Sequence, residues 1–183
     1  MKYSKIIRET IEEYISKNNI EGVIFDFDYT LVDTSCYRPY REYAIKNKDW
    51  SIFDEHIKET KLYPGIKKLI YYLHNNGIKI LVVTDNKQSV ASKTLNYHGI
   101  YYDMIAGSQG WQNPKWRRMT RLINKLELNP NNVISVGDLP SDALQSEKAH
   151  IKFIGCNWGN NKVNGINNPI DLIDIIESYN NKG

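Results

Sequence analysis

Apolar residues along the chain alternate between two patterns. Short runs of aliphatic and aromatic residues occupy 22–26, 78–84, 102–106, 132–137 and 151–156, and each reads as a strand, the first two as strands buried on both faces. Between them lie longer stretches with apolar residues at helical spacing. In 66–75, Ile66, Leu69, Ile70 and Leu73 form one stripe, and Asn76-Gly77 stops it. The pattern predicts further helices over 88–97 (ended by Gly99), 115–127 (stopped before Asn129-Pro130), 141–149 and 170–179. An amphipathic helix is predicted over 3–17, with Ile6, Ile7, Thr10, Ile11, Tyr14 and Ile15 on its apolar face and Asn18-Asn19 at its end. Strands alternating with helices of about this length predict βαβ units and a parallel sheet. Right-handed crossovers then bring all strand C-termini to one edge. The expected class is α/β, a Rossmann-like three-layer α/β/α sandwich. Residues 34–62 break the pattern, being rich in Tyr, Lys, Glu and Trp, and Pro64-Gly65 restarts it. Residues 156–168, rich in Asn and Gly, read as an ordered loop.

Three of the predicted strands end in acidic or hydroxyl groups. The first runs into Asp26-Phe27-Asp28-Tyr29-Thr30, the second into Thr84-Asp85-Asn86, and the third into Gly137-Asp138-Leu139-Pro140-Ser141-Asp142. On neighbouring parallel strands these ends meet in one crevice, where open α/β sheets bind ligands. Asp26 and Asp28, two apart in an extended segment, face the same way. One can serve as a nucleophile, and the other can protonate a leaving oxygen and then deprotonate water. The Thr84 hydroxyl and the backbone N–H groups after it can hold a phosphoryl oxygen. Clustered carboxylates repel one another unless a cation joins them, and hard carboxylate oxygens suit magnesium. A dianionic phosphoryl group calls for a further cation. Lys115, just ahead of a helix in Asn113-Pro114-Lys115-Trp116, is favoured over Lys87, Arg117 and Arg118.

Composition narrows the function classes. With 24 basic and 21 acidic residues in 183, the net charge of +3 gives no case for a nucleic-acid surface. Cys36 and Cys156 stand far apart, which fits a reducing compartment rather than a disulfide framework. His56, His74, His98 and His150 are scattered, without the pairing of a zinc helix. The first eighteen residues have no apolar core of a signal peptide, and no apolar run is long enough to span a bilayer. The expected location is the cytoplasm, with no membrane partner.

Taken together, the motifs resemble those of the haloacid dehalogenase superfamily of phosphohydrolases. Asp26 to Thr34 resembles its first motif, Thr84 its second, Lys115 its third, and Gly137 to Asp142 its fourth. Tyr63-Pro64-Gly65 resembles the restart after a cap, and Asn157-Trp158-Gly159 a loop of phosphoglycolate-phosphatase-like members. The resemblance implies a core of residues 1–32 and 63–183 and a small helical cap at 33–62, large enough for two short helices. It implies a magnesium-dependent phosphatase acting on a small-molecule phosphate ester through an aspartyl phosphate. Asp26 is then the nucleophile and Asp28 the acid and base. Asp26, Asp28 (through its carbonyl), Asp138 and Asp142 form the metal site, and Lys115 neutralises charge. Thr84, Asp85, Asn86, Tyr29 and Arg38 are the expected substrate contacts, with Tyr37, Tyr40 and Arg41 as further candidates on the cap. A phosphomutase and a non-catalytic binding module are the rival readings. Three positions depart from the family pattern: Tyr29 where Gly is frequent, Asp85 where Asn is frequent, and Pro114 before rather than after the lysine.

Overall fold

The computed structural model describes residues 20–108, 112–160 and 162–180. The helix expected over 3–17 lies outside the described residues. Six strands form a single sheet: β1 (Gly22–Phe25), β4 (Lys79–Val83), β5 (Met104–Ala106), β6 (Val133–Gly137), β7 (Lys152–Cys156) and β8 (Gly165–Ile166). Their spatial order is β5-β4-β1-β6-β7-β8, and every neighbouring pair is parallel. Two more strands, β2 (Val32–Asp33) and β3 (Lys61–Leu62), pair antiparallel apart from the sheet.

Side-chain alternation along the central strands divides the core in two. Val23 and Phe25 of β1 and Ile80 and Val82 of β4 face one side. There they meet α3 (Ile66–Asn75), α4 (Gln88–Tyr97) and α7 (Pro169–Asn180) through Leu69, Leu73, Ala91, Leu95 and Leu172. Ile24, Leu81 and Val83 face the other side, against Met119, Leu122 and Ile123 of α5 (Lys115–Lys125). α6 (Pro140–Lys148) follows β6 directly. The result is the expected three-layer Rossmann-like sandwich, because each central strand must bury both faces. Helices 66–75 and 88–97 carry the bounds that their periodicity predicts. The others shift by one or two residues, and β5 begins at Met104 rather than 102. β8 falls within the loop expected over 156–168, since two residues carry no period to detect.

Residues 34–60 fold as two 3-10 turns (Ser35–Tyr40, Ile57–Glu59) and two short helices, α1 (Arg41–Asn47) and α2 (Ile52–Glu55). They enclose a small apolar cluster of their own, Tyr37, Ala44 and Phe53, closed by Val90 of α4. The β2–β3 pair brackets this insertion. Among the described residues no helix is long and apolar enough to cross a membrane.

Candidate active site

β1 lies between β4 and β6, and the chain reverses its direction of travel across the sheet at that point. The C-terminal ends of these three strands therefore flank the crevice expected at a topological switch. Asp26 follows β1, Thr84 follows β4 and Asp138 follows β6. Asp26, Asp138 and Asp142 each place a carboxylate oxygen within 4.8 Å of the others. The crevice opens into a cavity of about 350 Å³ whose walls include Asp26, Asp28, Asn86, Lys115 and Asp142.

Lys115 is the centre of this arrangement. Its Nζ donates to Asp26 Oδ1 and to Asp142 Oδ1, both at 2.6 Å. It is the first residue of α5, and Pro114 ahead of it is extended, with φ −62° and ψ 161°. Lys115, Arg118, Met119, Leu122 and Ile123 are the buried residues of that helix, a set spaced along one face. The lysine thus occupies the end of the core-facing stripe where it reaches the sheet edge. The inverted Pro-Lys order leaves it aimed at the carboxylates. Burial alone would lower its pKa, but Asp26 and Asp142 outweigh that and raise it above the usual ammonium range.

Burial pushes the Asp26 carboxyl up to about 8, against the pull of Lys115 and with the help of Asp142 and Asp28. Asp138 is likewise raised, chiefly by burial. It accepts from the Asn160 amide (2.6 Å) and from the Thr30 hydroxyl (3.3 Å). The second oxygen of Asp142 accepts the Leu139 N–H at 3.1 Å, which ties the start of α6 to the site. Gly137 permits this approach. A Cβ there would sit 2.7 Å from the Asp142 carboxyl group.

Asp28 also lines the cavity, held by the Thr34 hydroxyl at 2.6 Å and by the Asn86 amide at 3.3 Å to each oxygen. Arg41 Nη2 lies 3.5 Å from the same carboxylate. Tyr29 takes a left-handed backbone, φ +59°, which explains why glycine suits this position. Its hydroxyl accepts from Arg38 Nε at 2.7 Å, and the Arg38 guanidinium lies 5.2 Å from its ring centre. The Tyr29 carbonyl packs so closely on Gly159 that a Cβ there would lie 1.9 Å from it.

The remaining expected contacts divide. Asn86 and Arg38 line the cavity. Thr84 is fully buried, and its hydroxyl accepts the Asn86 N–H at 3.0 Å. Asp85 lines the cavity too, but its carboxylate is engaged by Arg118, whose guanidinium also donates to the Thr84 carbonyl. Tyr37 is not at the cavity. It is buried against Phe53, and its hydroxyl meets Thr94 at 2.9 Å. Tyr40 stacks on His56 instead, 3.9 Å between ring centres. Three contributors were missed by the sequence reading: Thr34, Asn160 and the anchoring role of Arg118. Arg118 did carry a signal, three residues after Lys115 on the same stripe. A single Asn in an Asn-rich loop carried none.

Comparison with known proteins completes the picture. Residues 38–156 match the family model described as haloacid dehalogenase-like hydrolase. The chain belongs to that family. The matched stretch holds Thr84, Lys115, Asp138 and Asp142 and begins after Asp28. Alignment with the phosphoglycolate phosphatase of Aquifex aeolicus spans 92% of this chain and 84% of that protein, at 25% identity. A Clostridium perfringens protein provisionally named pyrophosphatase PpaX aligns over 98% of this chain and 80% of its own length, at 23% identity. Among solved structures, a hydrolase of this superfamily from Geobacter sulfurreducens shares the fold, with a TM-score of 0.70 at 16% identity over 85% of this chain and 99% of that one.

Proposed function

We propose that this hydrolase is a magnesium-dependent phosphatase that cleaves a small phosphate monoester through an aspartyl phosphate. The observation that carries the reading is the Lys115 ammonium set between two carboxylates, 2.6 Å from each, beside a third. The donor set fits a hard divalent cation, because it consists of buried carboxylate oxygens with a shared negative charge. Asp26, Asp138 and the Asp28 carbonyl would hold the ion, and Asp142 completes the set while sharing its Oδ1 with Lys115. When bound, magnesium would offset charge on the phosphoryl oxygens and keep Asp26 ionised despite its burial.

The protein groups then have separable tasks. Asp26 attacks phosphorus, and the bond to the leaving oxygen breaks. Asp28 gives that oxygen a proton. It later takes one from the water that opens the aspartyl phosphate. Thr34 and Asn86 hold Asp28 in place for both transfers. Lys115 stabilises the charge on the transferring group. Asn86 and the backbone after Thr84 form the wall against which that group rests. Residues 33–62 act as a small cap over a core made of 1–32 and 63–183. The unpaired thiols of Cys36 and Cys156 suit a cytoplasmic setting.

The test is hydrolysis of p-nitrophenyl phosphate with EDTA or with magnesium. Turnover is expected only with the metal, and Asp26→Asn is expected to abolish it with an unchanged melting curve. Substantial activity in a folded Asp26→Asn protein would overturn the covalent route. An Asp28→Asn protein is expected to slow by a factor on the order of 10² to 10⁴.

A further inference from the structure

Building on the phosphatase reading, we infer that Arg118 is a positioning residue: by holding the Thr84 carbonyl it aims the Asp85 N–H at the phosphoryl group in transit. The backbone donors after β4 are mostly committed elsewhere. The Thr84 N–H pairs with the Ala106 carbonyl at 3.0 Å. The Thr84 hydroxyl accepts the Asn86 N–H at 3.0 Å, and the Asn86 side-chain oxygen accepts the Lys87 N–H at 2.8 Å. Among the described residues no group accepts the Asp85 N–H, although Asp85 lines the cavity.

The direction of that N–H follows from the peptide it belongs to. The bond between Thr84 and Asp85 is trans, so its C=O and N–H point opposite ways. The Arg118 guanidinium donates to the C=O through Nη1 and to the Asp85 carboxylate through Nη2. Two contacts from one planar fork fix both the tilt and the rotation of the peptide plane. α5 packs against β4 and β5, whereas β1, with Asp26 at its end, borders β4 on the other flank. The N–H, facing away from Arg118, is therefore turned toward the crevice.

Stability alone does not account for an arginine at this position. Arg118 is 1% exposed and stands in the buried stripe of α5 with Met119, Leu122 and Ile123, where an apolar side chain is the ordinary choice. Its Nε is buried with no hydrogen-bond partner among the described residues, and an unmet buried donor is destabilising. The side chain of its ion-pair partner Asp85 is 76% exposed, so the pair does not serve to neutralise a buried carboxylate. What the guanidinium secures is a carbonyl on the wall of the site. It also offsets the Asp85 charge, which otherwise faces an incoming dianion.

Arg118→Met tests this, because it continues the apolar stripe and leaves only an exposed carboxylate without its cation. Orthophosphate in magnesium buffer is the probe, and Arg121→Gln, at an exposed position of α5, is the control. Arg118→Met is expected to raise the calorimetric Kd for orthophosphate about tenfold and to lower kcat by a factor of about 10 to 100, somewhat less than outright removal of an oxyanion donor. Arg118→Lys, with a point charge in place of a fork, is expected to fall between the two proteins. In 1H–15N spectra the wild-type Asp85 amide is expected to move downfield as orthophosphate is added, and Arg118→Met is expected to abolish that response. A folded Arg118→Met protein with wild-type Kd and kcat would overturn the inference, even if its urea midpoint fell, because that pattern marks a purely structural arginine. So would an Asp85 amide left unmoved in a wild type that binds orthophosphate. Should Arg118→Met fail to fold, Arg118→Lys carries the same comparison. A wild-type enzyme with neither turnover nor orthophosphate binding would instead sink the phosphatase reading, and this inference with it.

Discussion

The sheet edge and the insertion above it are built on opposite principles. At the edge, Asp26, Lys115, Asp138 and Asp142 are all buried, and Lys115 or a neighbouring polar group holds each of them. Asp26 and Asp138 follow strands of a sheet packed on both faces, and Lys115 and Asp142 stand in the first turns of α5 and α6. The insertion has two helices of seven and four residues, joined by 3-10 turns around a small cluster. Its cavity-facing arginines are exposed, while Tyr37, Tyr40 and Phe53 pack within the insertion. The contrast separates what must be rigid from what must be replaceable. Proton and phosphoryl transfer need fixed geometry. Choice of leaving group needs only a few side chains within reach.

Replacing Lys115 breaks the rigid half most severely. Lys115→Met leaves Asp26 and Asp142 buried and uncompensated, at a cost of about 3–5 kcal/mol to the metal-free protein. Turnover should fall at least a hundredfold, and denaturant titrations in EDTA and in magnesium should show the metal recovering part of the stability. Gly137→Ala is the next test. The added Cβ meets the Asp142 carboxyl group at 2.7 Å, against the rigid start of α6. A loss of about 1–3 kcal/mol is expected, with kcat reduced roughly tenfold, as for a site displaced by less than an ångström.

Phe53→Ala probes the other half. It opens the small cluster beneath the insertion and should cost about 3 kcal/mol. The comparison requires that magnesium affinity stay near the wild-type value while KM rises. A matching fall in magnesium affinity would mean that the two halves are coupled. The smallest effect is expected at His98, which joins them. Its Nε2 lies 2.7 Å from the Thr60 hydroxyl, at the end of the insertion. Burial, and then Lys67, hold its pKa below the ordinary value of about 6.5. The folded protein therefore prefers the neutral ring. This contribution is present above the unfolded pKa and is lost as pH falls through the folded value. His98→Gln should flatten the decline in melting temperature on that acid side and leave kcat unchanged.

Legibility in the sequence follows the same division. The strands ending at Asp26, Thr84 and Asp138 were readable because double burial demands unbroken apolar runs. Helices 66–75 and 88–97 were readable to the residue because their stripes stop at Asn76-Gly77 and near Gly99. Lys115 is legible because a phosphoryl site among carboxylates requires a cation at a helix start near the sheet edge. The two-residue strands β2, β3 and β8 were not readable, since tertiary contacts alone establish them. Tyr37 and Arg38 are adjacent and equally plausible as substrate contacts on paper. Only the fold shows that one plugs the insertion's core while the other faces the cavity.

The central place of β1 also governs how the chain emerges from a ribosome. β1 can pair with β4 once residue 83 is free, but its other edge belongs to β6, which begins at Val133. At about 5–20 residues per second, the roughly fifty intervening residues take about 3–10 s to appear. For that interval a fully apolar strand edge stands open beside a finished one, ready to pair with another nascent chain. Slowing elongation between residues 83 and 133 should therefore increase the aggregated fraction more than slowing it after residue 137.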